Sequence, residues 1–377
     1  MIYLDSAATT LQKPPAVARA AARAINTLSS PGRGGYSSAM LAAETAFACR
    51  REAAALFHVP DPEQVVFTFN ATHGLNIAIK HLVHPGSRVV ISGYEHNAVT
   101  RPLHAVPDVE IRVARAPLFD QKAMTEAFRA ELDRGVDAAV CTHVSNVFGY
   151  VLPVEEIAAL CRARNVPLIV DASQAAGTLP VDFTALHAAF IAMPGHKGLY
   201  GPQGTGLLLC GAEAVPLLEG GTGSESRNQS MPQFLPDRLE AGTHNLTGIA
   251  GLLEGIRYVR SVGTETILTH ERRLIAQLGA GLSRIPGLRP FLSDDPARQA
   301  GVLSFVLEGV DCESLAMKLG ERDIALRAGL HCAPLAHETA GTLDSGTLRA
   351  SVSAFTTQQD ISRFLTVLPR VLTAPDR

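Results

Sequence analysis

The sequence predicts an α/β protein: a mainly parallel seven-stranded sheet in a large domain, with a smaller α+β domain beside it. Three observations predict this. Between Gln64 and Leu209, short apolar runs rich in Val, Ile and Ala alternate with helical periodicities, the pattern of a parallel sheet covered on both faces. From about Leu239 that alternation gives way to long helical patterns and a few separated strands. The 377 residues also exceed the roughly 250–300 at which a single core stops growing. The large domain is expected over residues 15–240, and the small one over 241–377 together with the N-terminal segment 1–14.

The chain opens with IYLDSAATT (residues 2–10), an apolar piece followed by small hydroxyl side chains. A helix is expected over about 14–28, since proline suits a first helical turn. The glycines of residues 31–36 fit either a close backbone approach or a plain interhelical turn. A long Ala-rich helix follows over Ser37–Phe57, with serine at its cap. Seven strands are expected near residues 65–69, 88–91, 110–113, 138–142, 168–170, 189–192 and 206–209. Beyond them helical patterns run over 249–282, strands are expected at 302–307, 325–326 and 349–352, and a helix over 357–372 closes the chain.

Formal net charge is −3 and 18% of residues are charged, which leaves no basic footprint for nucleic acid or an anionic membrane. A small-molecule ligand is expected instead. No apolar run approaches the roughly 18 residues of a membrane span, and the first residues carry no signal-like segment, so the expected location is the cytoplasm. The six cysteines show no CxxC pairing or ligand-like histidine spacing, so neither a metal site nor a disulfide framework is expected. Cys141, Cys161 and Cys210 sit in apolar runs and read as core.

In parallel sheets ligands bind at the carboxyl ends of strands, so the residues after each run matter most. These are Asn70-Ala71-Thr72-His73-Gly74, a helix-opening turn able to offer N–H groups and a hydroxyl to a phosphate; Tyr94-Glu95-His96-Asn97; His143, Ser145 and Asn146; and Asp171, Ser173 and Gln174. The most informative stretch is 188–206, AAFIAMPGHKGLYGPQGTG, which reads as strand, lysine-bearing turn, strand. A lysine held there loses water and approaches the neutral amine that a Schiff base needs. With Asp171 keeping a pyridine nitrogen protonated, Lys197 on the aldehyde, and Thr72 and His196 on the phosphate, the set matches a protein's usual contributions to pyridoxal 5′-phosphate (PLP) chemistry.

Five motifs carry a resemblance: Gly195-His196-Lys197 with Tyr200-Gly201-Pro202, Val170-Asp171-Ala172-Ser173-Gln174, Glu95-His96-Asn97, Glu240-Ala241-Gly242-Thr243, and Arg327-Ala328-Gly329-Leu330-His331-Cys332-Ala333-Pro334. Together they resemble the class V aminotransferase-like, fold-type I PLP enzymes, in the cysteine desulfurase and selenocysteine lyase branch. The resemblance runs from Tyr3 to the last helix. It implies that Lys197 is the Schiff-base lysine, Asp171 the partner of the ring nitrogen, and His96 a stacking and proton-relaying group over the ring. It places Gln174 and Asn146 at the ring hydroxyl and the substrate, and Ala71, Thr72 and His196 around the phosphate. Ala71 and His73 stand where many relatives carry Thr and Glu, and Pro194 where a hydroxyl often sits, so the expected phosphate cradle is either looser or more reliant on backbone N–H groups.

The same resemblance implies a homodimer in which Thr243 reaches the neighbouring subunit's phosphate. Arg349 would grip the substrate carboxylate, and Cys332 would take the sulfur as a persulfide, its thiolate favoured by His331 and Arg327. The short interval between Cys332 and Arg349 resembles the group of desulfurases that rely on a sulfur-acceptor protein. The implied activity is conversion of L-cysteine to L-alanine. Selenocysteine lyase or another C–S lyase activity is the alternative within the family, and a catalytically inactive scaffold subunit is the alternative outside enzymology. A nicotinamide enzyme is disfavoured, because Gly201, Gly204 and Gly206 have the wrong spacing and precede a strand.

Overall fold

The computed structural model of the chain describes residues 1–31 and 34–373. Gly32 and Arg33, part of the expected glycine turn, lie outside the described residues. The chain starts with β1 (Ile2–Tyr3), α1 (Pro15–Thr27) and α2 (Ser37–Phe57). Pro15 occupies the first turn of α1, where a missing N–H leaves no bond unmade. In α2 the cap position belongs to Tyr36, which makes no side-chain cap bond, and Ser37 is already helical. This corrects the expected serine cap: side-chain preference favours Ser37, but the helix begins there and its N-terminus has no side-chain cap.

Next come β2 (Val65–Thr68), α3 (Ala71–Leu82), β3 (Arg88–Ser92), α4 (Asn97–His104), β4 (Glu110–Ala114), α5 (Gln121–Asp133), β5 (Ala138–Thr142), α6 (Val154–Ala163), β6 (Leu168–Asp171), α7 (Phe183–Leu186), β7 (Phe190–Pro194) and β8 (Gly206–Cys210). Their seven strands form one sheet in the order β2-β8-β7-β6-β5-β3-β4. Parallel pairing links β4 to β3, β3 to β5, β5 to β6 and β6 to β7. Only β8 runs antiparallel to its neighbours. The link from Pro194 to Gly206 is too short for a helical crossover, so the chain must return beside β7 in the opposite sense. Alternate strand residues feed two cores. Phe67, Val90, Ala139, Val170 and Ile191 pack on one face, and Val66, Val89, Val140, Ile169 and Ala192 on the other.

The rest comprises α8 (Leu246–Val262), α9 (Thr264–Leu282), β9 (Leu288–Pro290), β10 (Val302–Leu307), α10 (Cys312–Gly320), β11 (Ile324–Ala325), β12 (Arg327–Gly329), α11 (Pro334–Ala340), β13 (Thr347–Ser351) and α12 (Gln358–Leu372). The helical patterns over 249–282 form two helices, separated at Gly263 with φ 87°, a conformation open to glycine at little steric cost. Antiparallel β12-β13-β10-β9 form a second sheet over its own core of Leu274, Leu303, Phe305, Leu348 and Phe364. Thr357 and Asp360 close a capping box at α12. No described helix is long and apolar enough to cross a membrane.

The N-terminal segment stitches the two sheets together. Leu4 N–H donates to Ala325 O at 2.8 Å, Ser351 N–H to Leu4 O at 2.8 Å, and Thr10 N–H to His196 O at 3.2 Å. A buried ion pair does the same for edge strand β2. Glu240 accepts from Arg50 Nη2 at 2.5 Å and from Phe67 N–H at 2.6 Å, with His244 Nε2 at 3.1 Å. Burial alone would raise the Glu240 carboxyl, but Arg50 and His244 outweigh it and hold the pKa below its ordinary value. Replacing Glu240 by Ala strands the buried Arg50 charge and should lower the unfolding free energy by about 3–5 kcal/mol in urea denaturation. Because the folded pKa is depressed, this stabilisation is complete above the ordinary glutamate pKa and fades as pH falls through the folded value. The stability gap between wild type and Glu240→Gln should therefore shrink on acidification.

Candidate active site

A cavity opens at the carboxyl ends of β2, β3, β5, β6 and β7, lined by Ala71, Thr72, His96, Asn146, Asp171, Gln174, His196 and Lys197. These residues come from five separate strand ends, as the parallel-sheet rule requires. A wider hollow formed by the polar segment 215–238 contains none of them.

Lys197 sits in the turn after β7. Burial pushes its amine down to about 8, with Asp171 opposing and Arg349 and Arg327 reinforcing the shift. The turn is possible because Gly198 packs backbone to backbone: a Cβ there would lie 2.4 Å from Ala176 O. Asp171, the last residue of β6, is 2% exposed. Its Oδ1 accepts from Ser173 N–H at 2.9 Å, while Oδ2 has no hydrogen-bond partner among the described residues.

His96 caps α4, its Nδ1 accepting from Ala98 N–H at 2.9 Å. That bond requires a bare Nδ1, so the neutral ring carries its hydrogen on Nε2. Burial lowers its pKa, with Asp171 opposing and Lys197 and Arg349 adding to the fall. Beside it, fully buried Glu95 accepts from Ser92 Oγ at 2.5 Å and Thr142 N–H at 2.7 Å. Burial raises that carboxyl to about 8. Glu95 thus ties β3 to β5 beneath the cavity, a role its motif alone did not reveal.

Asn70 caps α3 by accepting from His73 N–H. The N–H groups of Ala71 and Thr72, the first two helical residues, have no partner among the described residues and are free for an anion. His196 Nδ1 lies 3.0 Å from Thr9 Oγ1, and burial, Lys197 and Lys13 push its pKa down to about 4. Lys13 Nζ donates to Thr10 Oγ1 at 2.5 Å and His196 O at 3.0 Å. Gln174 Nε2 donates to Ala7 O at 2.9 Å. From the sequence alone, Thr9, Thr10 and Lys13 carry no assigned part in the site. The hydroxyl cluster was the available signal.

Bonded to the cavity residue Asn146, Arg349 is 3% exposed. Its Nη1 donates to Asn146 O and its Nη2 to Asp5 Oδ1, both at 3.0 Å, while Nε is buried without a partner. Asn146 Nδ2 donates to His331 O at 2.8 Å, and Asn97 N–H to Cys332 O at 2.7 Å. His331 and Cys332 both adopt left-handed φ, 50° and 55°. The Cys332 segment is thereby pinned to the strand-end loops, yet Cys332 is exposed while every other cysteine is buried. The expected help from His331 is corrected. Burial, then Arg349, push its pKa well below the ordinary value, and its Nε2 faces Thr347, so it is neutral. Arg327 is likewise engaged elsewhere, on Asp5.

Thr243 is exposed, beside Gly242 at φ 89°, and does not line this cavity. Among the described residues no group of three His, Cys, Asp or Glu is arranged to hold a metal. The donor set instead fits PLP: an amine already lowered toward neutrality, a buried carboxylate with a free oxygen, and a helix N-terminus with unpartnered N–H groups.

Comparison with known proteins agrees with this geometry. The class V aminotransferase family model matches residues 2–364. A protein of Methanothermobacter thermautotrophicus named "Probable cysteine desulfurase" is 32% identical, covering 96% of this chain and 92% of its own. A cysteine desulfurase of Yersinia pestis is also 32% identical, covering 98% and 93%. The apo structure of a cysteine desulfurase from Thermococcus onnurineus superposes with a TM-score of 0.89 at 27% identity, covering 98% of this chain and 94% of that one. The α/β fold is the fold-type I architecture of those enzymes. Along nearly its whole length, the chain is an enzyme of the class V aminotransferase family.

Proposed function

We propose that the protein is a PLP-dependent cysteine desulfurase that converts L-cysteine to L-alanine and takes the sulfur as a persulfide on Cys332. The observation that carries this reading is the meeting of the Lys197–Asp171 cavity with a pinned, solvent-exposed cysteine beside a buried arginine. PLP, when bound, supplies an electron sink for charge developing at the substrate α-carbon. Lys197 would hold it covalently, Asp171 its ring nitrogen, Gln174 its hydroxyl, and Ala71, Thr72 and His196 its phosphate. His96, neutral with its hydrogen on Nε2, would cover the ring face.

In this reading Arg349 binds the substrate carboxylate, with Asn146 beside it. Lys197, freed by the substrate amine, moves the α-proton. The Cys332 thiolate attacks the substrate sulfur: an S–S bond forms as the substrate Cβ–S bond breaks, and the three-carbon fragment gains protons to leave as alanine. A homodimer is part of the proposal, with Thr243 serving the partner's phosphate site. Its support is the exposure of Thr243 together with that of Met40 and Phe47, one helical face of α2. The exposed thiol is placed for collection by an acceptor protein.

The deciding assay measures alanine and sulfide from PLP-loaded protein given L-cysteine and a thiol reductant, beside L-selenocysteine. Cysteine turnover is expected, and turnover of selenocysteine alone would reassign the enzyme as a selenocysteine lyase. Cys332→Ala should reduce sulfur release to background while the cofactor absorbance stays; unchanged release would remove Cys332 from the chemistry. Lys197→Ala should lose the absorbance of lysine-linked cofactor after dialysis, and its retention would refute the assignment of Lys197. Because the amine lies near 8 rather than 10.5, cofactor capture by apoprotein should speed up with pH only to about 8 and then level off. A rate still climbing tenfold per pH unit at 9 would contradict a buried, depressed amine.

A further inference from the structure

The pairing of β12 with β13 sets Arg327 directly opposite Arg349, a like-charge juxtaposition that is unfavourable unless something neutralises it. Asp5 does so. Its Oδ1 accepts from Arg349 Nη2 at 3.0 Å, and its Oδ2 accepts from Arg327 Nη2 at 2.9 Å and Nε at 3.2 Å. The Asp5 backbone is itself held. It bridges to Ser351, two residues beyond Arg349, and its carbonyl accepts from Ala8 N–H at 3.1 Å. With Nη1 on Asn146 O and Nη2 on Asp5, the Arg349 guanidinium is tied at both terminal nitrogens. Its buried Nε–H is left without a protein acceptor. Two arginines and one aspartate leave one net positive charge, the complement of a single carboxylate.

We propose that Asp5 is the positioning residue that aims Arg349 at the substrate's α-carboxylate, with Arg327 anchoring Asp5 from the other side. This rests on the assignment of Arg349 as the carboxylate-binding arginine. Asp5 touches neither substrate nor reacting atoms; it acts by fixing the plane of the guanidinium, so that no rotamer freedom is lost when the carboxylate arrives. Removing it should weaken carboxylate recognition and spare the chemistry.

The test uses PLP-loaded wild type, Asp5→Ala and Asp5→Asn, the last keeping an oxygen for Arg349 Nη2. Two readouts are compared: KM and kcat for L-cysteine, and the affinity ratio of L-alanine to L-alaninamide, which differ in the carboxylate, followed by calorimetry. Asp5→Ala should raise KM at least about tenfold and cut the affinity ratio by a similar factor, the scale of one charge-assisted hydrogen bond. Its kcat should stay within about twofold of wild type, and Asp5→Asn should restore most of both readouts. An unchanged ratio in Asp5→Ala, a kcat loss at constant KM, or an Asp5→Asn variant as impaired as Asp5→Ala would overturn the proposal. If L-cysteine is no substrate at all, the desulfurase reading falls. The alanine ratio still decides the role of Asp5.

Discussion

A lysine amine buried at the end of β7 is the constraint on which the rest of this structure depends. An ammonium group out of water is costly unless it is paired or loses its proton. Here the two remedies are balanced. Asp171 ends the adjacent strand β6, in register with Ala192, and favours the charged amine, while burial and two arginines favour the neutral one. That balance needs β6 and β7 parallel and adjacent, which puts both strand ends at one edge. It also needs the antiparallel return of β8, which makes the lysine turn short enough to be enclosed.

Enclosure is completed by the first thirteen residues. One side of this segment bonds to the second sheet through Leu4 and Asp5, and the other bonds to the lysine turn through Thr10 and Lys13. Arg349, through Asp5, and the lysine turn are thus referenced to one short stretch of backbone rather than to each other through a long path. A displacement of the second sheet would break bonds at both ends of that stretch.

Much of this was legible in the sequence because it is local. Apolar runs bounded by polar clusters marked the seven strands to within two residues, since buried strands leave little room for polar interruptions; edge strand β4, with exposed Glu110 and half-buried Arg112, is the least buried of them. The same rule singled out Thr72, His96, Asn146, Asp171 and Lys197. Contacts between distant segments were not legible. Asp5 reads as one more polar residue until the Arg327–Arg349 register makes it a counter-ion. The supposed charge on His331 failed for a related reason: a histidine next to a reactive cysteine reads as an electrostatic aid, but burial against Thr347 and near Arg349 keeps it neutral. The cap of α2 was misread because local preference favours Ser37, whereas the helix already includes that residue and its cap, Tyr36, makes no side-chain cap bond.

The pinning of Cys332 bears on how sulfur would leave the enzyme. Its carbonyl is held by Asn97, the preceding carbonyl by Asn146, and the short helix α11 begins two residues later. That helix is fastened by Thr339 Oγ1 donating to Gly93 O at 2.8 Å and by Arg115 pairing with Glu338. A cysteine on such a pedestal can meet a substrate sulfur without an ordering cost at each turnover. Its backbone cannot also swing outward to deliver a persulfide without breaking those bonds. Under the proposed function the acceptor must therefore come to the thiol. The exposure of Cys332, with left-handed turns on it and on His331, presents the residue to such a visitor while its backbone stays fixed.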